Sequence, residues 1–230
     1  MRRLRAGGHV GRPRLPVDTA ELSQTCQHYL ETYARHGLVG PRSVLAHNVI
    51  PGDDELRLLA ASGAAVSHCP TSNAALGSGM FPLRRHLDAG VAVALGSDVG
   101  AGAGFSMFKE GLQAYYLQQL LGADGVPLTP AHLLYLATAA GAGALGLGQQ
   151  VGDLGVGKEF DAASLAPPAG STLDTALRHA PGDSERLARI FVLGTPGDVV
   201  ATWVGGRLVS GHAPAPTHHT ARSSHVHARP

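Results

Sequence analysis

Three short apolar runs, each closing on a polar group, constrain the fold of this chain more than any other feature. "SVLAHN" (43–48), "AAVSHCP" (64–70) and "VAVALGSD" (91–98) are rich in small and β-branched residues and too short for helices, so they read as strands. The segments between them read as helices. "PGDDELRLLAASG" puts acidic residues in a first turn, Leu56, Leu59 and Ala60 at helical spacing, and a glycine at the stop. "FPLRRHLDAG" (81–90) sets Leu83 and Leu87 four apart. The third run is near-continuously apolar, as a strand covered on both faces would be. A long helix is predicted over 105–122, with Phe108, Leu112, Tyr115 and Tyr116 on one side. One more is predicted over 129–148, opened by the cap Thr129 and a proline at its first position.

Strands alternating with helices predict an α/β chain of parallel βα units. In a (β/α)8 barrel the strand ends converge on the carboxyl-terminal face, which makes His47, His68 and Asp98 candidates for chemistry. A doubly wound sheet competes, but no phosphate-binding glycine fingerprint follows any of the strands, and "GAGAGF" after Asp98 is a lone glycine-rich loop. Three clear βα units are present, with room for a fourth before residue 36, so the expectation is a partial TIM (β/α)8 barrel.

The ends differ from the middle. Residues 1–28 are unpatterned and Arg-, Gly- and Pro-rich at the start, and residues 211–230 form a His/Pro/Ser tail; neither has the apolar content for a core, so both are expected to be disordered. A net charge of +1 gives no argument for a nucleic acid partner. No run reaches the roughly 18 apolar residues of a membrane span. Cys26 and Cys69 do not make a disulfide framework, which favours a reduced, cytoplasmic protein.

Single residues each have a bland alternative. An aspartate at a strand end is, by itself, more often a cap or turn former than a ligand, and His47 alone is as often a core histidine as a functional one. For His68 the structural role is favoured, and His36, His86, His132 and His179 are expected to face solvent. Cys69 reads as packing, because no adjacent base is evident. Gly77 and Gly79 serve backbone geometry.

The strings "LAHN", "SHCPTSNAALGSG", "GVAVALGSDVGAG", "FSMF" and "VGDLGVGKEFDA", in this order, resemble the carboxyl-terminal half of the amidohydrolase superfamily over residues 30 to 210. The Asp-Val-Gly-Ala-Gly loop with Phe-Ser-Met behind it is most similar to the guanine deaminases within it. The resemblance implies a zinc hydrolase of the metal-dependent barrel type, converting guanine to xanthine and ammonia with metal-activated water, and a small-molecule purine substrate. Asp98 matches the eighth-strand aspartate, a zinc ligand that takes a proton from the water; His47 matches the sixth-strand histidine that orients it. The resemblance also makes 29–150 the barrel half and 151–210 the remnant of a small β-sandwich, with "TWVGGRLV" a hairpin turning at Gly205-Gly206. Strand residues are expected to be weak after "EFDA". Relatives of this kind are commonly dimers, which leaves a homodimer open.

Three of the four zinc ligands implied by the resemblance have no counterpart. No His-x-His pair on an apolar strand precedes residue 47, the pair "HVH" (225–227) lies in the tail, and the spacing of His28 and Glu31 reads as coincidence. The chain is therefore expected to be truncated and inactive alone. A non-catalytic association module and a hydrolase of another amino-substituted ring are the alternatives.

Overall fold

The computed structural model describes residues 29–211. The segment 1–28 with His28, and the tail from 212 with "HVH", lie outside the described residues. Three parallel strands, β1 (Val44–Ala46), β2 (Ala65–His68) and β3 (Ala92–Leu95), form one sheet in the order β1-β2-β3. Leu45, Val66 and Val93 lie side by side in register, and next to them Val44, Ala65 and Ala92. The first row is largely withdrawn from water, whereas Val44 and Ala92 at the ends of the second are exposed. The third run is therefore not covered on both faces throughout: Val93 and Ala94 are buried and Ala92 is not. The described residues form an open three-stranded sheet and no closed barrel.

Helices build the core against this sheet. After α1 (Tyr29–Arg35), α2 (Asp53–Ser62) buries Leu56 and Leu59 as its spacing predicts. A short helix not read from the sequence, α3 (Pro70–Ala75), starts directly behind β2, with Pro70 as its first residue. In α4 (Leu83–Asp88) the buried pair is Leu83 and His86, three apart, while Leu87 is half exposed. His86 is thus a core residue and not solvent-facing. The phenyl ring of Phe81 stacks on it at 4.4 Å, and its Nε2 and Nδ1 lie 2.7 Å from Asn48 Oδ1 and 2.9 Å from the Pro82 carbonyl.

The long helix α5 (Met107–Leu120) buries Glu110, Gly111, Ala114, Leu117 and Gln118; of the predicted side, Phe108 and Tyr115 pack partly buried against the core and Tyr116 is exposed. Gln118 can be buried because its amide donates to Phe81 O and accepts from Val126 N–H. The stretch 129–148 holds two helices, α6 (Pro130–Ala137) and α7 (Ala139–Ala144), broken at Thr138. Thr138 has non-helical φ −133° and ψ −89°, and its hydroxyl donates to Leu134 O. Thr129 caps α6 in a reciprocal pair of bonds with His132, which is exposed.

Two helices occupy part of the stretch read as sandwich: α8 (Thr172–Arg178) and α9 (Asp183–Leu193). The second packs on α5 and α6, and its Phe191 joins the main core edge-on to Phe108, with ring centroids 6.2 Å apart. The remaining strands, β4 (Ala162–Leu165), β5 (Val199–Val204) and β6 (Arg207–Gly211), form an antiparallel sheet. Strand β4 starts at the last residue of "EFDA" and buries none of its four residues. Gly205 (φ 54°) and Gly206 (φ 76°) supply the two left-handed residues that a tight hairpin turn demands. Among the described residues no helix is long and apolar enough to cross a membrane.

Candidate active site

All three strand-end candidates lie at the same, carboxyl-terminal edge of the parallel sheet, since His47 follows β1, His68 ends β2 and Asp98 follows β3. Two of them meet. His47 Nε2 is 3.6 Å from Asp98 Oδ2, with the side chains about 40% and 35% exposed, so the pair is open to solvent on one side. The backbone is strained where they sit. His47 (φ 71°), Asn48 (φ 47°) and Asp98 (φ 45°) take the left-handed conformation that residues other than glycine rarely adopt. Such conformations persist where surrounding contacts over-determine them, and they cluster at functional sites.

Those contacts come from the first turn of α3. Ser72 Oγ donates to Asp98 Oδ2 at 2.6 Å, and Asn73 Oδ1 accepts from His47 Nδ1–H at 2.9 Å. Both supporting residues are fully buried, so their side chains are held while the pair they support faces out. With Nδ1 turned to Asn73, the other ring nitrogen, Nε2, is the one that faces Asp98. Sequence reasoning took Ser72 and Asn73 only as part of a family signature. The available signal was a run of three polar residues, Thr71 to Asn73, directly after an apolar strand and its Cys-Pro stop.

His68 does not join the pair. It is buried to 1% exposure and stacks on Phe81 at 4.3 Å, and neither ring nitrogen has a hydrogen-bond partner. Burial, and then repulsion from His86 and His47, holds its pKa down to about 3, so the ring is neutral. Cys69 is buried beside it, and burial raises its thiol pKa, which disfavours the thiolate.

The pair supplies one carboxylate and one facing imidazole, and among the described residues no group of three or more His, Cys, Asp and Glu is placed to hold a metal ion. Asp98 suits a zinc ligand: one oxygen is fixed by Ser72, and the carboxylate is oriented and partly exposed. The described pair falls short of the three protein ligands or so that a catalytic zinc site uses.

A model of the amidohydrolase family matches residues 17–209. A probable guanine deaminase of Deinococcus radiodurans is 65% identical over 181 residues, covering 79% of this chain and 41% of that protein. Among solved structures, an E. coli guanine deaminase superposes with a TM-score of 0.78 at 33% identity, over 84% of this chain and 45% of the other. An adenosine deaminase from Xanthomonas campestris, solved with bound zinc, gives 0.69 at 29% identity, over 84% and 42%. The chain thus spans less than half the length of the relatives it matches.

Proposed function

Because the chain belongs to the amidohydrolase family, we propose that Asp98 and His47 are the share of a guanine deaminase active site carried by this stretch. One observation carries the reading: residues from two strands that do not touch, β1 and β3, bring an imidazole nitrogen and a carboxylate oxygen to 3.6 Å. The names of the similar proteins support guanine as the ring.

In this reading guanine and water give xanthine and ammonia. A water oxygen bonds the ring carbon that carries the amino group, and the carbon–nitrogen bond to that group breaks. Asp98 accepts a proton from the attacking water, and that proton is passed on so that the nitrogen departs as ammonia. His47, its ring held by the Nδ1–Asn73 bond, turns Nε2 toward the water; in the neutral ring that nitrogen accepts a hydrogen bond and fixes the water's direction. Asp98 would also be a ligand of zinc, a Lewis acid that brings the pKa of its water to about 7. Further ligands have to come from residues outside 29–211.

The test joins residues 29–211 to the amino-terminal part of the D. radiodurans relative and follows ammonia release from guanine, cytosine and melamine. Turnover of guanine at least a hundredfold above the other two is expected, while the 230-residue chain alone holds less than one zinc and releases no ammonia. A joined protein that prefers another ring overturns the substrate. Stoichiometric zinc and fast turnover by the chain alone overturn the shared-site reading.

A further inference from the structure

Glu110 has no step in the chemistry above, yet it is completely buried on α5. Burying a carboxylate is costly unless it is bonded, and here both of its oxygens are directed at one residue. Glu110 Oε1 accepts from Thr71 Oγ1–H at 2.7 Å and Oε2 from the Thr71 backbone N–H at 3.1 Å. With its proton committed to Glu110, the Thr71 hydroxyl oxygen accepts from Ala103 N–H at 3.0 Å.

Both ends of this clamp lead to the candidate site. The two residues after Thr71 are Ser72, which donates to Asp98, and Asn73, which bonds His47. Ala103 closes the loop that begins at Asp98 and folds back on it, with Ala101 N–H and Gly102 N–H both donating to the Asp98 carbonyl. One buried carboxylate therefore ties the turn that supports both side chains to the loop that carries one of them. A core position needing only volume would be filled by an apolar side chain; a two-pronged acceptor aimed at Thr71 fixes position and angle together.

We propose that Glu110 is a positioning residue, setting the separation of Asp98 and His47 through Thr71. The proposal rests on the reading of those two as the site, but its test needs no turnover, so the two can fail separately. Amide hydrogen exchange and side-chain nitrogen NMR at one fixed pH are measured on the 230-residue chain. In Glu110→Gln and Thr71→Val, the Ala103 amide is expected to exchange about tenfold faster relative to the Val93 amide. The His47 ring is expected to change from one Nδ1–H tautomer to a mixture. Thr71→Ser, which keeps the hydroxyl, restores both signals. Leu117→Ala, on the same buried stripe of α5, lowers Tm and leaves both unchanged.

If Glu110→Gln and Thr71→Val behave as Leu117→Ala does, Glu110 is only a satisfied core carboxylate and the proposal is wrong. Should Glu110→Gln not fold, the contrast between Thr71→Val and Thr71→Ser decides. Expected NMR responses combined with a joined protein that releases no ammonia would sink the deaminase reading and leave the positioning role standing.

Discussion

The two sheets of this molecule use their residues in opposite ways. In the parallel sheet the strands are only three or four residues long, β2 is almost wholly buried, and a histidine or an aspartate stands at or just past each strand end. In the antiparallel sheet β6 is exposed along its whole length and β5 buries only Ala201, and the order comes from turn chemistry. Asp161 Oδ1 accepts from Gly205 N–H at 2.6 Å, Phe160 O accepts from Gly206 N–H at 2.9 Å, and the Phe160 ring meets Trp203. Strain falls on different residue types as well. It sits on His47, Asn48 and Asp98 beside the parallel sheet and on two glycines in the hairpin, where it costs little. A sheet with strained, non-glycine residues at its ends needs burial behind it to sustain them, whereas a sheet closed by a local turn does not.

The contrast breaks most visibly with pH. His68 is held neutral in the fold, with its pKa near 3, while in the unfolded chain it titrates near 6.5. Below 6.5 the unfolded state therefore binds a proton that the folded state refuses. Stability falls as the pH drops from 6.5 toward 3, by ~1.4 kcal/mol per unit from this residue alone. His68→Phe keeps a ring against Phe81 and removes the proton site. Denaturant titrations at several pH values should show a flatter dependence for the variant, and parallel curves would count against a neutral buried ring.

The next effect is packing on the parallel side. A Cβ added at Gly111 would meet the Phe191 ring at 2.5 Å, and that ring is locked in the core. Gly111→Ala should cost about 1–3 kcal/mol in chemical denaturation. The smallest effect is at the hairpin. A Cβ at Gly206 meets nothing within 4 Å, so Gly206→Ala pays only for its left-handed backbone, about 1 kcal/mol. If Gly206→Ala proved the more damaging of the two, burial would not be what distinguishes the sheets.

Strand and helix periods made β1, β2, β3, α2 and the Gly205-Gly206 hairpin legible in the sequence, because each is a local pattern. What escaped depended on neighbours distant in the chain. Leu83 and Leu87 looked like the core face of α4, but Phe81 and Asn48 give His86 stacking and a hydrogen bond there, so the helix turns His86 inward and Leu87 outward. The aromatic residues of α5 marked one side of the helix, of which Phe108 and Tyr115 do pack on the core, but Glu110 and Gln118 are buried more deeply because Thr71 and Phe81 offer them partners, and Gly111 lets Phe191 approach. For the candidate site, the strand-end rule picked out His47, His68 and Asp98 alike, and only the family resemblance set His68 apart. For the supports, Ser72 and Asn73, the polar run after the Cys-Pro stop was the one signal, and no periodicity marks which residue some 26 positions away each side chain bonds.

At the root of this account is a single claim, that the Asp98 carboxylate and the His47 imidazole serve one water. The most direct measurement is a double-mutant cycle on ammonia release from guanine by the joined protein, with Asp98→Asn, His47→Gln and both together. Groups acting as a unit lose activity only once, so the double variant should fall scarcely below Asp98→Asn alone, which itself should lose about a thousandfold in kcat/KM. Losses that multiply, each variant adding its full factor, would show two independent residues and contradict the claim.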